Sequence, residues 1–454
     1  MNTDTFTIIG GHPLKGKVSV SGSKNAALPI IAAALLTNEE VILTNVPDIE
    51  DIKTVEHILK FIGVETTRKG GVLKIHAKNV KNIELNHDLV SKLRASILFV
   101  APLLIRNKEA RMAFPGGCVL GKRPVDAHLF ALKAFGVKVL KDQDSLHLKS
   151  GALKGADFTM TEASVTATEN AIMTAVLAKG ETTIRLAACE PHVQDLCHFL
   201  NAMGAKIEGV GTHTITIRGV EKLHGTEHRI ISDYLEAGTL VLAAAITKGD
   251  VEVCGIDPHH LDIFWQKLTE VGVKFELKKD SVHVFPSRAL KATRLQTAVF
   301  PSFPTDLQAP FAILLTQAQG TSFIFETLFD GRLQYLYELA RMQAAFKMLN
   351  PYQAEIDGPI QLKGANVNSC DIRAGAAIVL AALAAEGKSE VSNIYYIDRG
   401  YEGLDEKLKQ LGAKIERNSE KEIPEKQQKK GNYSIKVIVK NEKSTFKNRP
   451  IKTQ

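Results

Sequence analysis

The segment Lys24–Leu36 reads KNAALPIIAAALL, an apolar run that opens with a lysine and an asparagine. A helix that is apolar on nearly every side lies buried rather than on a surface. A β-branched run at Glu40–Leu43, a more polar helical segment and a glycine, Gly63, come next. This succession predicts a compact unit in which a buried helix is surrounded by strands and an outer amphipathic helix.

The same succession recurs along the chain at intervals of about 70 residues, longer than the roughly 20–50 residues of common solenoid repeats. Each unit closes on a glycine that follows a leucine four residues earlier and precedes Val or Ala. The closing glycines are Gly63, Gly136, Gly204, Gly272 and Gly412. The last interval is twice as long as the others, and Gln343 stands where the missing glycine is expected. The sequence therefore predicts six repeats.

Six such units divide naturally into two domains of three repeats, with helices inside and sheets outside. We expect one domain over residues 23–231 and a discontinuous second domain over residues 1–22 and 232–419. In this prediction the N-terminal strand Thr5–Ile9 completes the second domain. Residues 420–454 break the pattern and are predicted to form a basic extension.

Composition excludes several classes of protein. Hydrophobic residues are 44% and charged residues 24% of the chain, an ordinary globular balance. Without a run of 18 apolar residues or a leader-like N-terminus, we expect no membrane insertion, no signal peptide and a cytoplasmic location. The net charge of +7 is concentrated in residues 420–454, so a nucleic-acid partner is not expected. Five cysteines without a CxxC pair disfavour a zinc site or a disulfide framework.

Charged residues open several of the predicted buried helices. Lys24, Arg94 and Arg373 occupy equivalent starts, and Asp306 stands at another. A helix N-terminus is already positive, so cations gathered there indicate a shared anionic ligand. Ion pairs with carboxylates such as Asp51 and Asp371 are the alternative, and the sequence leaves both open.

Arginine also recurs in the turn that precedes the second helix of a repeat. Arg123, Arg332 and Arg399 lie 11 to 13 residues before a closing position, where other repeats carry aspartate. Guanidinium groups bind carboxylate and phosphate in a bidentate manner. A small phosphorylated acid is the ligand that this pattern favours.

The loop Phe114–Asp126 contains three glycines, two prolines and Cys118. Such a loop is a candidate lid, and a thiol beside Lys122 and Arg123 is expected to be reactive because a positive field lowers its pKa. Asp306 fits two roles on residue type, a helix N-cap or a general base.

Long motifs in a fixed order carry a resemblance to a known family. They are GSKNAALP at 22–29, PGGC at 115–118, RPVD at 123–126, FPTD at 303–306, DIRA at 371–374 and DRGY at 398–401. From Phe6 to Glu416 the chain resembles the UDP-N-acetylglucosamine 1-carboxyvinyltransferases, enolpyruvyl transferases of peptidoglycan precursor synthesis. The resemblance implies an α/β fold of two inside-out α/β barrel domains with the active site in the cleft between them.

The resemblance also implies substrates and roles. The substrates are phosphoenolpyruvate and UDP-N-acetylglucosamine, with no metal and no cofactor. Catalytic roles fall to Cys118 as proton donor, Asp306 as base, and Lys24 and Arg399. The residues implied to bind phosphoenolpyruvate are Lys24, Asn25, Arg123, Arg332, Arg373 and Arg399. Those implied to contact the UDP-sugar are Arg94, Arg123, Pro124, Val125, Asp126, Ala127, Ser164, Val165, Asp306 and Leu328.

Four positions depart from the family's frequent residues. They are Thr166 and Gln343 in place of glycine, and Cys189 and Tyr234 in place of arginine. Thr166 lines the presumed nucleotide pocket, so the affinity for the sugar nucleotide is the property most affected.

Three alternative functions are weighed against this resemblance. One is a shikimate-pathway enolpyruvyl transferase, a family that lacks the loop cysteine. The others are an RNA 3′-phosphate cyclase and a catalytically silent paralogue that binds UDP-sugar. The sequence carries no signal for the oligomeric state.

Overall fold

A computed structural model describes residues 4–85, 87–116, 124–141 and 145–419. Cys118, Lys122 and Arg123 of the predicted lid, and the predicted extension 420–454, lie outside the described residues. Among the residues described, no helix combines the length and the apolar character that a membrane span requires.

The helices follow the predicted alternation of buried and amphipathic segments. The α-helices are α1 (Lys24–Ala33), α2 (Glu50–Phe61), α3 (His87–Lys92), α4 (Val100–Asn107), α5 (Asp126–Ala134), α6 (Val165–Ala175), α7 (Pro191–Ala202), α8 (Tyr234–Ile246), α9 (Asp262–Val271), α10 (Gln308–Leu315), α11 (Tyr335–Arg341), α12 (Ile372–Ala384), α13 (Tyr395–Asp398) and α14 (Leu404–Gln410). Short 3-10 helices occupy Ala34–Leu36, Arg94–Phe99, Pro258–Leu261, Thr305–Leu307 and Arg332–Gln334.

The strands are short and group into small sheets. They are β1 (Thr5–Ile9), β2 (Lys15–Ser19), β3 (Glu40–Thr44), β4 (Glu65–Lys69), β5 (Val72–His76), β6 (Glu109–Ala113), β7 (Lys138–Lys141), β8 (Ser145–Lys149), β9 (Asp157–Thr159), β10 (Glu181–Arg185), β11 (Lys206–Glu208), β12 (Thr214–Arg218), β13 (Glu227–Arg229), β14 (Asp250–Cys254), β15 (Lys274–Leu277), β16 (Ser281–Phe285), β17 (Arg294–Gln296), β18 (Gly320–Phe325), β19 (Ala345–Asn350), β20 (Gln353–Gly358), β21 (Asn366–Asn368), β22 (Lys388–Ser392) and β23 (Lys414–Asn418).

The described strands form six sheets, one for each predicted repeat. Their orders are β13-β3-β5-β4, β6-β8-β7, β11-β12-β10-β9, β15-β16-β14-β2, β17-β18-β20-β19 and β21-β22-β1-β23. Five sheets share one plan, an antiparallel set of three strands with a short parallel strand at one edge. In the β6-β8-β7 sheet a single parallel bridge between Glu84 and Arg111 takes the place of the short strand.

The N-terminal strand completes the last sheet, as the sequence predicts. β1 lies between β22 and β23 and pairs antiparallel with both, so that Phe6 is opposite Val391 on one side and Arg417 on the other. The first and last segments of the described chain are therefore held in one sheet.

The first helix of each repeat is buried, which confirms the prediction from the apolar runs. All residues of α8 are buried, and α8, α10 and α12 pack against one another. In the other half of the chain, α1 and α4 both pack against α6. The starts of these helices are consequently brought together in the interior, where their first-turn N–H groups have no helical acceptor.

Buried apolar side chains form two clusters within the unit Met1–Asn418. One cluster draws on residues from Ala26 to Ile230. The other combines Phe6–Val20 with residues from Tyr234 to Ile415. The chain passes between the clusters at Ser23 and Asp233, where Ser23 N donates to Ile231 O at 2.7 Å and Asp233 N donates to Ser21 O at 2.9 Å.

The backbone at Gln343 has the conformation that the five closing glycines share. Gly63, Gly136, Gly204, Gly272 and Gly412 have φ between 88° and 100°, and Gln343 has φ of 67°. This left-handed conformation ends the second helix of a repeat and favours glycine. Gln343 therefore occupies the same turn as the five glycines.

Candidate active site

A cavity of about 720 Å³ lies where the buried helices begin, and residues of both apolar clusters line it. It brings together most of the described residues that the sequence singled out. These are Lys24, Asn25, Arg94, Pro124, Ser164, Val165, Asp306, Leu328, Arg332, Arg373 and Arg399. Val125, Asp126 and Ala127 do not line it and instead form the start of α5. Cys118 and Arg123 lie outside the described residues.

Lys24 and Arg399 share one carboxylate, that of Asp51. Lys24 Nζ lies 2.7 Å from Asp51 Oδ2, and Arg399 Nε donates to Asp51 Oδ1 at 2.8 Å. Burial by itself raises the pKa of Asp51, but the charges of Lys24 and Arg399 outweigh burial and hold that pKa below its usual value. The pKa of Lys24 is lowered by burial, which the charge of Asp51 only partly offsets.

Asp306 lies between two buried arginines. Arg373 Nε donates to its Oδ2 at 3.0 Å, and Arg332 Nη2 donates to its Oδ1. Burial alone raises the pKa of Asp306, yet the charges of Arg373 and Arg332 hold it well below its usual range. Asp306 is not a helix cap here, because Pro304 caps its 3-10 helix and Leu307 precedes α10. The N-cap alternative for Asp306 was therefore wrong.

Neighbouring groups fix the orientation of both arginines. Arg332 Nε donates to Thr305 Oγ1 at 3.1 Å, and Thr305 in turn donates to Glu326. The guanidinium of Arg373 lies over the ring of Tyr401 at 5.1 Å. Side chains held from several directions present their remaining N–H groups in a fixed geometry.

The ion-pair alternative is confirmed for Lys24, which pairs with Asp51. Arg373 pairs with Asp306 rather than with Asp371, and the anion site stays a prediction. Within the described residues, however, Arg373 Nη1 is buried and has no hydrogen-bond partner. Because a buried donor without an acceptor is costly, this group favours a bound acceptor in the cavity.

Two acids that the sequence analysis missed also line the cavity. Glu169 on α6 is 1% exposed, and Glu190 caps the start of α7. Within the described chain, Glu169 Oε1 and Glu190 Oε2 are buried and have no hydrogen-bond partner. Burial, with a smaller effect from the charge of Glu190, raises the pKa of Glu169 well above its usual value. The available signal was a Glu-Asn pair at 169–170 in a helix whose other residues are apolar or threonine.

His192 and Tyr234 also line the cavity, and their side chains lie next to each other. Their rings stack at a centroid distance of 6.3 Å, and Tyr234 Oη lies 3.4 Å from His192 Nδ1. Burial lowers the pKa of His192 to about 4, so its ring is neutral near pH 7. Tyr234, one of the four departures from the family's frequent residues, therefore lines the cavity beside His192 and His260.

Comparison with known proteins shows the family to which the chain belongs. A model of the EPSP synthase (3-phosphoshikimate 1-carboxyvinyltransferase) family matches residues 8–408. The UDP-N-acetylglucosamine 1-carboxyvinyltransferase of Koribacter versatilis (strain Ellin345) is 45% identical over 92% of this chain and 97% of its own length. The protein of that name from Helicobacter pylori (strain P12) is 44% identical over 92% and 100%. The chain belongs to the family of UDP-N-acetylglucosamine 1-carboxyvinyltransferases.

Solved structures of similar proteins bear on the fold. The enolpyruvyl transferase NikO from Streptomyces tendae superposes with a TM-score of 0.84 at 26% identity, covering 92% of this chain and all of its own. An EPSP synthase from Acinetobacter baumannii gives 0.68 at 20% identity over the same 92%, a likeness that shows the fold alone. The fold is the mixed α/β fold of the enolpyruvyl transferases.

Proposed function

We propose that this protein transfers the 1-carboxyvinyl group of phosphoenolpyruvate to the 3-hydroxyl of UDP-N-acetylglucosamine and releases phosphate. The observation that carries the proposal is the meeting of Lys24, Arg332, Arg373 and Arg399 with Asp306 in one cavity. Fixed cations around a carboxylate pair, Asp51 and Asp306, suit a reaction in which negative charge moves between substrates. The reaction supplies the first committed intermediate of peptidoglycan precursor synthesis and, since both substrates are phosphorylated metabolites, takes place in the cytoplasm.

Phosphoenolpyruvate binds through the cations. Lys24 and Arg399 take its phosphate with Arg123 and Asn25, and Arg332 and Arg373 complete the basic surface. A trianionic ligand competes with Asp51 and Asp306 for these groups, and the buried Nη1 of Arg373 gains the acceptor that it lacks among the described residues.

The sugar nucleotide occupies the wall formed by α6 and the segment before α5. Ser164 and Val165 stand at the N-terminus of α6, where backbone N–H groups favour an anion. Arg94 Nη2 donates to Pro124 O at 2.8 Å and so holds the segment that leads into α5. Leu328 supplies an apolar contact, and Pro124 lines the same part of the cavity wall as Arg94.

Asp306 accepts the proton of the sugar 3-hydroxyl. Two arginines make its carboxylate a weak base in the free protein, since they stabilise its charged form. Once phosphoenolpyruvate shares Arg332 and Arg373, that stabilisation decreases and the pKa of Asp306 rises toward the range that a general base needs. Binding of the first substrate therefore activates the base.

The chemistry is addition followed by elimination. The sugar oxygen forms a bond to C2 of phosphoenolpyruvate while Cys118 donates a proton to C3, which gives a tetrahedral intermediate that carries the phosphate. A proton then leaves C3, the double bond forms again, and the bond between C2 and the phosphate oxygen breaks. The same cations hold the departing phosphate.

The architecture behind this cavity is a pair of inside-out α/β barrels. The first spans residues 23–231, and the second combines residues 1–22 with 232–419. The two apolar clusters, the six sheets and the buried first helices support this arrangement. A cavity lined by both clusters is then an active site in the cleft between two domains.

The test is phosphate release from phosphoenolpyruvate with UDP-N-acetylglucosamine or shikimate 3-phosphate as the acceptor. We expect phosphate release when the acceptor is UDP-N-acetylglucosamine and none when it is shikimate 3-phosphate. The release should be abolished in Cys118→Ser and retained in Cys197→Ser. Release only with shikimate 3-phosphate contradicts the choice of acceptor. Binding of the UDP-sugar without release supports instead a silent paralogue, which no observation in the structure favours.

A further inference from the structure

Thr166 belongs to a chain of polar groups that leads from the core to the cavity. It is the second residue of α6, is half-buried and lines the cavity. Its Oγ1 lies 3.1 Å from Nε2 of His128, and Nδ1 of His128 lies 2.9 Å from Nδ2 of Asn170. His128 is 2% exposed and Asn170 is fully buried.

The contacts of Asn170 determine which group donates and which accepts in each of these hydrogen bonds. Asn170 Nδ2 also donates to Ile97 O at 3.0 Å, and a carbonyl oxygen only accepts, so the amide nitrogen faces both partners. Nδ1 of His128 therefore accepts from Asn170, and the ring proton lies on Nε2, which donates to Thr166 Oγ1. The hydroxyl of Thr166 keeps its own proton available for an acceptor in the cavity.

Two acids line the same cavity as this hydroxyl, Glu169 on α6 and Glu190 at the start of α7. Glu169 and Glu190 each have a buried carboxyl oxygen without a hydrogen-bond partner in the described parts of the chain, and both line the cavity. An unpartnered buried polar atom costs about 1–3 kcal/mol, which a ligand recovers by supplying the missing partner. A hydroxyl group supplies both kinds of partner, because it accepts from Thr166 and donates to a carboxyl oxygen. Burial raises the pKa of both acids, which suits an uncharged ligand group better than a phosphate.

The location of Thr166, Glu169 and Glu190 indicates which part of the acceptor they contact. Glu190, Tyr234 and Asp306 all line the cavity, and Tyr234 Oη lies 3.4 Å from Nδ1 of His192, two residues after Glu190. In the proposed function Asp306 acts on a hydroxyl of the sugar. Thr166, Glu169 and Glu190 line the same cavity as Asp306, so the sugar is the part of the acceptor that we assign to them.

We propose, on the basis of that function, that Thr166, Glu169 and Glu190 form a specificity subsite for sugar hydroxyl groups of the acceptor. His128 and Asn170 are positioning residues that orient the Thr166 hydroxyl. This assigns a role to Thr166, which departs from the glycine that the family frequently carries.

The first test compares UDP-N-acetylglucosamine with UDP, which lacks the sugar, by calorimetric binding to the wild type and Thr166→Val. Valine removes the hydroxyl and keeps the shape. We expect about tenfold weaker binding of the UDP-sugar and unchanged binding of UDP, with Thr166→Ser restoring affinity. Equal weakening for both ligands, or no change for either, overturns the subsite. Failure of the wild type to bind the UDP-sugar contradicts instead the proposed function.

A second test uses Glu169 and is independent of Thr166. Glu169→Gln keeps the hydrogen-bonding atoms and should bind the UDP-sugar within about threefold of the wild type, whereas Glu169→Met should bind about tenfold more weakly. Equal affinity of the two variants overturns the role of Glu169. In a His128→Phe background, Thr166→Val should have no further effect, because the hydroxyl is no longer oriented. A full additional loss there contradicts the positioning role.

Discussion

Lys24 Nζ lies 2.7 Å from Asp51 Oδ2, and both side chains are less than 10% exposed. The other oxygen of Asp51 binds Arg399, whose sequence position is near the opposite end of the chain. A buried carboxylate thus neutralises two of the cations that are proposed to hold phosphoenolpyruvate. Asp51 and phosphoenolpyruvate therefore compete for Lys24 and Arg399.

Asp51→Asn should destabilise the free protein by about 3–5 kcal/mol, because removal of one partner leaves buried charge without compensation. Inorganic phosphate should raise the melting temperature of the variant more than that of the wild type, since the anion replaces the lost carboxylate. Thermal unfolding with and without phosphate measures both effects.

Asp48→Asn is the matched control for Asp51→Asn. Asp48 is 62% exposed and lies 3.5 Å from Arg68 and 3.9 Å from Lys53, so its loss should change stability by less than about 0.5 kcal/mol. Equal stability of the two variants would refute the account of Asp51.

A phosphoenolpyruvate-mimicking epoxide should alkylate Cys118 in the presence of the UDP-sugar. This prediction rests on the basic, glycine-rich sequence around it. Cys189 and Cys197 serve as internal controls, because burial raises their thiol pKa to about 11 and about 12 and they should remain unmodified. Peptide mass spectrometry distinguishes the sites, and an unmodified Cys118 peptide would show that the thiol is not reactive.

Glu169→Gln should make the stability of the protein less sensitive to pH. Burial raises the pKa of Glu169 in the folded state, so the folded protein binds this proton more tightly than the unfolded chain. The contribution to stability is complete below the ordinary glutamate pKa and is lost as pH rises from there through the raised pKa of the folded protein. Glutamine does not titrate, and the variant should be more stable than the wild type at pH 8, with the difference shrinking toward pH 5.

Urea unfolding at several pH values measures the effect of Glu169→Gln. Glu162→Gln is the control, because Glu162 lies at the same cavity but is exposed and should show no effect. A difference between Glu169→Gln and the wild type that does not vary with pH would contradict the assignment.

Gln343→Gly should stabilise the protein by about 1 kcal/mol. The left-handed backbone at Gln343 destabilises the folded protein by about 1–2 kcal/mol, and glycine removes this strain. Part of the gain is lost, because glycine has more conformational freedom in the unfolded chain. The converse change, Gly412→Ala, should destabilise by a similar amount, since a Cβ there meets no atom within 4 Å and only the backbone is strained. Equilibrium unfolding in urea checks both, and a destabilised Gln343→Gly would refute the equivalence of the two turns.

Much of the fold was predictable because it depends on repeated local patterns. Apolar runs such as Lys24–Leu36 predicted the buried helices, and the spacing of closing glycines predicted six units, including the turn at Gln343. Equivalent helix starts placed Lys24, Asp306 and Arg373 at one site. These predictions need only periodicity and the knowledge that repeats fold alike.

Contacts between repeats could not be predicted in this way. The sequence suggested Asp51 as an ion-pair partner but not that it bridges Lys24 and Arg399. Glu169 and Glu190 come together through the packing of α6 and α7, and the path from Asn170 through His128 to Thr166 joins α6 with α5. Such pairs depend on tertiary geometry, in which residues distant in sequence meet without any local signal.

The most direct test of the central claim is mass spectrometry of UDP-N-acetylglucosamine after incubation with phosphoenolpyruvate and the protein. The account predicts one carboxyvinyl group in place of one hydrogen, with one phosphate released for each product. The rate should be lower by a factor of about 100 to 10,000 in Asp306→Asn and nearly unchanged in Asp330→Asn, whose exposed carboxylate lines the same cavity. Unmodified UDP-N-acetylglucosamine with the wild-type protein, or full turnover in Asp306→Asn, would contradict it.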